Sequence, residues 1–90
     1  MKQYLTQEQT AKLIELGFEK PRLLYFGNNT IGNYAYTIGE LIEMLGVYLS
    51  SIGHIGIVYC VNARGIERRS EELIDALYDM IVKLKEEGVI

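Results

Sequence analysis

The sequence predicts a small α+β domain in which three helices pack on one face of a mostly antiparallel sheet of three to four strands. Three amphipathic segments each begin with helix-capping residues, and runs of β-branched and aromatic residues lie between them. Turn residues separate those runs, so the predicted order is α-β-β-α-β-(β)-α. Residues 1–90 are predicted to form a single domain, because a chain of this length can bury one modest core.

The first helix is predicted to begin at Thr6, which opens the capping-box pattern Thr-Gln-Glu-Gln. Gly17 is expected to end this helix, and Phe18 to pack back on its last turn. After Pro21, residues 22–26 and 31–36 are β-rich and flank a segment of turn residues, which predicts a hairpin.

A second capping box, Thr37-Ile-Gly-Glu40, begins a helix that reaches Gly46. Residues 47–53 are compatible with either an extra helical turn or a loop. Residues 55–61 give the strongest strand pattern, since they are rich in β-branched and aromatic side chains. A turn over 62–65 and a short, charged edge strand over 66–69 follow.

The last helix is predicted over 70–88, with Ser70 as its N-cap and Gly88 as the left-handed residue past its end. Leu73, Leu77 and Leu84 fall on one face at helical spacing, so this helix should supply much of the core.

Composition excludes several classes of function. The net charge of −3 disfavours non-specific binding to nucleic acid, which depends on Lys and Arg neutralising phosphates. No apolar run is long enough for a membrane helix, and the polar N-terminus does not read as a signal peptide. Cys60 is the sole cysteine and has no partner for an internal disulfide, so we expect a cytoplasmic protein.

No catalytic constellation is visible in the sequence. His54 lacks a second histidine and a cysteine pair with which to bind a metal, and Cys60 lies inside an apolar strand pattern without an evident base. We therefore predict a protein that is not an enzyme, with no cofactor and no metal.

Tyrosines in the middle of the chain and a cluster of arginines near the predicted edge strand suggest a surface for a protein partner or for a second copy of the chain. Tyrosine is amphipathic and enriched at interfaces, although several of the seven tyrosines could instead cap the edges of a thin core. Arginines near an edge strand could contact an acidic partner, or could simply deter association between sheets. The candidate interaction residues are Tyr25, Tyr34, Tyr36, Tyr48, Tyr59, Arg64, Arg68 and Arg69. The predicted function is a self-associating protein-interaction module.

Residues 4–21, 36–45 and 70–90 resemble small uncharacterised proteins of Bacteroides-type gut bacteria that are often associated with prophages and conjugative elements. The resemblance covers about half of the chain and implies a bacterial, cytosolic, mobile-element setting. It implies no activity, cofactor or site residue.

Residues 36–46, YTIGELIEMLG, are similar to the first helix of the helix-turn-helix in MerR-like regulators and excisionases. This similarity implies an alternative function, a nucleic-acid-associated regulator of a mobile element, to which the three arginines could contribute. Such regulators read the major groove with a second, basic helix, whereas the residues that follow here are apolar and strand-like.

Overall fold

The computed structural model describes residues 2–21, 24–25 and 33–90, and confirms the predicted α+β fold. Three helices accompany a three-stranded antiparallel sheet and a separate two-stranded ladder. The elements are α1 (Gln7–Glu15), β1 (Leu24–Tyr25), β2 (Asn33–Tyr34), α2 (Ile38–Leu45), a 3₁₀ turn (Gly46–Tyr48), β3 (Leu49–Ile55), β4 (Val58–Ala63), β5 (Ile66–Ser70) and α3 (Leu73–Glu86).

Both predicted capping boxes are present. The Gln9 N–H donates to Thr6 Oγ1 over 3.1 Å, and the Thr6 N–H donates to Gln9 Oε1 over 3.0 Å. The equivalent bonds between Thr37 and Glu40 are both 3.2 Å long. Each box satisfies two backbone donors that a helix start leaves without an intrahelical acceptor, which is why α1 and α2 begin where the sequence predicts.

Helices α1 and α3 end in the same way. After α1, the Phe18 N–H donates to the Leu13 carbonyl over 3.2 Å and Gly17 adopts a φ of 102°. After α3, the Val89 N–H donates to the Leu84 carbonyl over 2.9 Å and Gly88 adopts a φ of 75°. These are Schellman motifs, in which the glycine takes the left-handed conformation that a Cβ disfavours. The predicted ends at Gly17 and Gly88 are confirmed.

The predicted start of the last helix at Ser70 is wrong. Ser70 is the final residue of β5, where it lies opposite Tyr59, and its hydroxyl accepts a bond from the Glu72 N–H over 3.2 Å. Glu72 is the N-cap residue, without a side-chain capping bond. Ser70 therefore lies in the strand ladder, and α3 begins at Leu73.

The hairpin predicted after Pro21 is confirmed where the structure describes it. β1 and β2 pair antiparallel, with Leu24 opposite Tyr34 and Tyr25 opposite Asn33. The predicted turn over 27–30 lies outside the described residues.

The single strand predicted over 55–61 is wrong, because this segment contains the turn of a hairpin. Gly56 has a φ of 61°, whereas Ile57 has no positive φ, and Ile55 lies opposite Val58. A glycine at the first position of a two-residue loop is typical of a type II′ turn, whose twist matches that of the flanking strands. Residues 47–53, for which the sequence allowed an extra helical turn or a loop, are instead mostly strand, because the 3₁₀ turn Gly46–Tyr48 runs directly into β3.

The predicted edge strand after β4 is confirmed, whereas the turn predicted over 62–65 is confined to Arg64 and Gly65, since residues 62 and 63 belong to β4. Arg64 and Gly65 have φ values of 50° and 78°, and Ala63 lies opposite Ile66. Two consecutive positive φ angles in a two-residue loop indicate a type I′ turn. The resulting strand, β5, includes Ser70 as well as the predicted residues.

The core lies between the sheet and the helices. β4 is the central strand of the order β3-β4-β5, and α3 contacts β4 and β5 while α2 packs against α3. Alternate residues of β4 point to opposite faces of the sheet, and Val61 and Ala63 contribute to the core on the helix side. The completely buried core residues include Leu13, Leu41, Leu45, Ile74, Leu77, Met80, Ile81 and Leu84.

Candidate interaction surface

Tyr36 is a core residue, which corrects its assignment to the interaction surface. Its side chain is 1 % exposed, and its hydroxyl donates to the Glu19 backbone carbonyl. Burial, followed by the charges of Glu40 and Glu19, raises the pKa of the Tyr36 hydroxyl. The ring is therefore a structural element of the core and is not available to a partner in this conformation.

Two other predicted tyrosines are half-buried and lie against polar neighbours. The Arg64 guanidinium lies 5.7 Å from the centroid of the Tyr48 ring, a cation–π geometry. The Tyr59 ring stacks on His54 with centroids 4.2 Å apart and planes 6° from parallel. The side chains of Tyr25 and Tyr34 lie outside the described part of the structure.

The three arginines do not form one basic patch. Arg64 occupies the turn between β4 and β5, and successive positions of β5 place Arg68 and Arg69 on opposite faces of the sheet. Arg69 pairs with Glu67, with 3.2 Å between Arg69 Nε and Glu67 Oε1. Arg68 lies on the helix side, near Asp79. Burial and the charge of Asp75 raise the pKa of Asp79, and the charge of Arg68 partly opposes that increase.

The structure reveals an apolar surface that the sequence reasoning did not identify. Ile52, Ile55 and Ile57 of the β3–β4 hairpin are 40 %, 68 % and 71 % exposed. We call these three side chains the isoleucine patch. Ile52 lies on the helix side of β3, Ile55 on the opposite side and Ile57 in the turn, so the patch surrounds the tip of the hairpin. The sequence signal was present, because no Asp, Glu, Lys or Arg occurs between Glu43 and Arg64.

The two edges of the three-stranded sheet differ in chemistry. β5 carries Glu67, Arg68 and Arg69, and such charges discourage another strand from pairing. β3 carries no acidic or basic residue apart from His54, and most of its residues are exposed. A register irregularity at Ser50, between Leu49 and Ser51, is the one edge-protecting feature of β3. The edge from Ser51 to Ile55 is therefore open to pairing.

His54 and Cys60 do not form a catalytic pair. His54 shares a face of the sheet with Tyr59, its cross-strand partner, and the adjacent Cys60 points to the opposite face beside Arg69. Within the described ranges, no cluster of three or more His, Cys, Asp or Glu residues could hold a metal ion.

A cleft of about 320 Å³ lies beside Tyr36 in the described structure. Glu40 and Glu43 line it together with Phe18 and Met44. The Glu40 carboxylate already accepts the Thr37 N–H as part of the capping box. The cleft is open to solvent, so we assign no ligand to it.

Among the described helices, none combines the length and the apolar character that a membrane crossing requires. The chain matches no protein-family model, and comparisons with curated proteins and with solved structures find no significant match.

Proposed function

We propose that the chain is a non-enzymatic protein-interaction module that associates with a second copy of itself through the β3–β4 hairpin. The observation that carries this proposal is the isoleucine patch on an uncharged, exposed edge strand. Several exposed apolar side chains gathered at the tip of one hairpin of a small protein indicate a site of interaction. The surface is thus formed mainly by isoleucines, with Tyr59 beside them, rather than by the full set of tyrosines and arginines.

The energetics favour weak, concentration-dependent association. Complete burial of one fully exposed isoleucine side chain contributes about 1.5–3 kcal/mol, and Ile52, Ile55 and Ile57 of each copy have 40 %, 68 % and 71 % of their surface left to bury. Association costs about 4–15 kcal/mol in lost translational and rotational freedom. The apolar gain from two copies is similar to that cost, so the monomer–dimer equilibrium should respond strongly to a single substitution in the patch.

Two features support a bacterial, cytoplasmic, mobile-element setting as part of the proposal. The only cysteine, Cys60, is a buried free thiol, which suits a reducing compartment. The segments 4–21, 36–45 and 70–90 resemble proteins from that setting.

The alternative function, regulation through nucleic acid, stays a prediction that no described contact favours. The segment after α2 forms the 3₁₀ turn and β3, where a helix-turn-helix would carry its recognition helix. The arginines that could contact phosphate lie on different faces of the sheet.

Sedimentation velocity or light scattering over a wide concentration range tests the proposal. We expect a reversible monomer–dimer equilibrium, and at least a tenfold weaker dimer in Ile55→Lys and Ile57→Lys. Ala11→Lys introduces the same charge at an exposed position of α1 and should leave the equilibrium unchanged. A chain that stays monomeric up to its solubility limit, or a dimer indifferent to both isoleucine substitutions, would contradict the proposal.

A further inference from the structure

We infer that two copies join by antiparallel pairing of their β3 strands about a two-fold axis at Gly53, so that two three-stranded sheets become one six-stranded sheet. This inference rests on the proposed self-association and specifies its geometry. Pairing of this kind is isologous, since the same residues of both copies form the interface.

The hairpin determines which backbone groups of β3 are free to pair. In a two-residue hairpin, the two residues that flank the turn form a hydrogen-bonded pair, in which each donates to and accepts from the other. Along the ladder, hydrogen-bonded pairs then alternate with pairs that are not hydrogen-bonded to each other. Ile55 and Gly53 therefore direct their N–H and C=O groups toward β4, where they lie opposite Val58 and Cys60. Ile52 and His54 direct theirs away from β4, toward the exposed edge.

The length of regular strand sets the register. The irregularity at Ser50 bounds the pairing segment on one side and the Gly56 turn bounds it on the other, which leaves residues 51–55. An antiparallel pair uses all five residues when Gly53 lies opposite Gly53 of the other copy. Ile52 of each copy then lies opposite His54 of the other, and these two pairs exchange four backbone hydrogen bonds.

The absence of charge in the pairing segment is compatible with a second copy as the occupant. Each chain carries a net charge of −3, yet the pairing segment contains no Asp, Glu, Lys or Arg, so two copies meet there without repulsion between local charges. The helices also leave room, because opposed residues in an antiparallel sheet point to the same face and both copies keep their helices on one side. α3 lies over β4 and β5, and Ile52 and His54 on the helix side of β3 are exposed.

Disulfide trapping tests the register in a Cys60→Ser background, which removes the native thiol across from Gly53. Opposed residues at the axis have Cα atoms about 4.5 Å apart, within disulfide range. Residues 51 and 55 lie about 14 Å from their own copies along the strand, at about 3.4 Å per residue. Gly53→Cys should therefore give a covalent dimer under mild oxidation, whereas Ser51→Cys and Ile55→Cys should not.

The outcomes separate this inference from the proposed function. Reversible dimers whose Gly53→Cys variant does not cross-link, or cross-links no better than Ser51→Cys and Ile55→Cys, would refute the register and leave self-association standing. A chain that is monomeric under all conditions would refute both. The oxidation is repeated at a protein concentration below the dissociation constant of the dimer, where the yield of covalent dimer should fall.

A proline pair tests the edge pairing without cysteine chemistry. Proline is tolerated on an edge strand where its missing N–H faces solvent. His54→Pro should weaken the dimer at least tenfold, whereas Arg69→Pro, at an equivalent outward position of the β5 edge, should leave it unchanged. Ile52→Lys provides a second variant that should oppose the pairing through its charged side chain, while it keeps the backbone N–H. Circular dichroism checks that each variant is folded. Retention of full affinity in both His54→Pro and Ile52→Lys would overturn the inference.

Discussion

Asp75 connects three distant parts of the chain through its carboxylate. Asp75 Oδ1 accepts bonds from Lys2 Nζ over 2.6 Å and from Gln9 Nε2 over 3.0 Å. The Lys2 backbone N–H also donates to Glu72 Oε2 over 2.7 Å. The N-terminal segment and α1 are thereby joined to the start of α3.

The ionisation of Asp75 should stabilise the fold. Burial alone would raise the pKa of this carboxyl, but the bonds from Lys2 and Gln9 and the charge of Lys2 together hold it below its ordinary value of 3.8. A carboxyl with a lowered pKa in the folded state stabilises that state above its unfolded pKa, and the contribution disappears as the pH falls. We expect Asp75→Asn to lower the free energy of unfolding by about 1 kcal/mol at pH 7, after allowance for partial exposure, and by less near pH 3.

Urea unfolding at pH 7 and near pH 3 measures this effect. Asp79, one turn further along α3, provides the matched control. Partial burial and the charge of Asp75 raise its pKa, although Arg68 opposes them. The sign is therefore reversed, and Asp79→Asn should leave stability at pH 7 unchanged or raise it. An equal loss of stability for Asp75→Asn at both pH values would show that the carboxylate charge is not responsible.

Among the helices, replacement of glycine by alanine should change the free energy of unfolding in opposite directions at the end of a helix and near its start. A Cβ on Gly17 or on Gly39 meets no close neighbour, with only an ordinary 3.8 Å contact to Thr37 Oγ1 in the second case. The difference between the two sites is therefore conformational, because Gly17 has a φ of 102° and Gly39 is helical.

We expect Gly17→Ala to lower the free energy of unfolding by about 1 kcal/mol, since an L-residue resists the left-handed conformation. Gly39→Ala should raise it by about 0.5–1 kcal/mol, because alanine is the better helix former and restricts the unfolded chain. Chemical denaturation of the two variants checks both signs. Stabilisation by Gly17→Ala would mean that the Schellman motif does not persist in solution.

Gly56 shows how a turn can be hidden in a strand pattern. The residues on both sides of it are β-branched or aromatic, so Ile55 to Val61 reads as one strand. The type II′ turn needs only a glycine followed by an ordinary residue, and here that residue is a second isoleucine instead of the polar residue common in turns. Because a turn position is exposed to solvent, the isoleucine that occupies it, Ile57, is exposed as well.

At the scale of the whole molecule, charge is distributed unevenly. α1, α3 and β5 carry most of the charged side chains, while the segment between Glu43 and Arg64 carries none. Self-association through that segment should therefore depend little on ionic strength. Added salt should strengthen it slightly by screening the repulsion between two chains of net charge −3.

The salt dependence separates the two candidate functions. We expect the dissociation constant of the dimer, measured by sedimentation at low and at high salt, to stay constant or to fall. Binding to duplex DNA would show the reverse, a steep loss of affinity with rising salt. A dimer that dissociates on addition of salt would contradict the apolar interface and point to ion pairs instead.

Features that depend on local chemistry could be predicted from the order of residues alone. Capping boxes at Thr6 and Thr37 and left-handed glycines at Gly17 and Gly88 act within a few residues, so the ends of α1, the start of α2 and the end of α3 could be predicted along with the α+β class.

Only the tertiary structure decided which apolar side chains find a partner. Tyr36 and Ile55 are both apolar in character and both follow strand-like patterns, yet the first is buried in the core and the second is exposed at the hairpin tip. Tyr36 lies just before α2 and packs into the core, whereas Ile55 points to the face of the sheet opposite the helices. The face that a side chain occupies is a non-local packing outcome, so the uncharged stretch between Glu43 and Arg64 signalled an apolar surface without showing which isoleucines would be exposed.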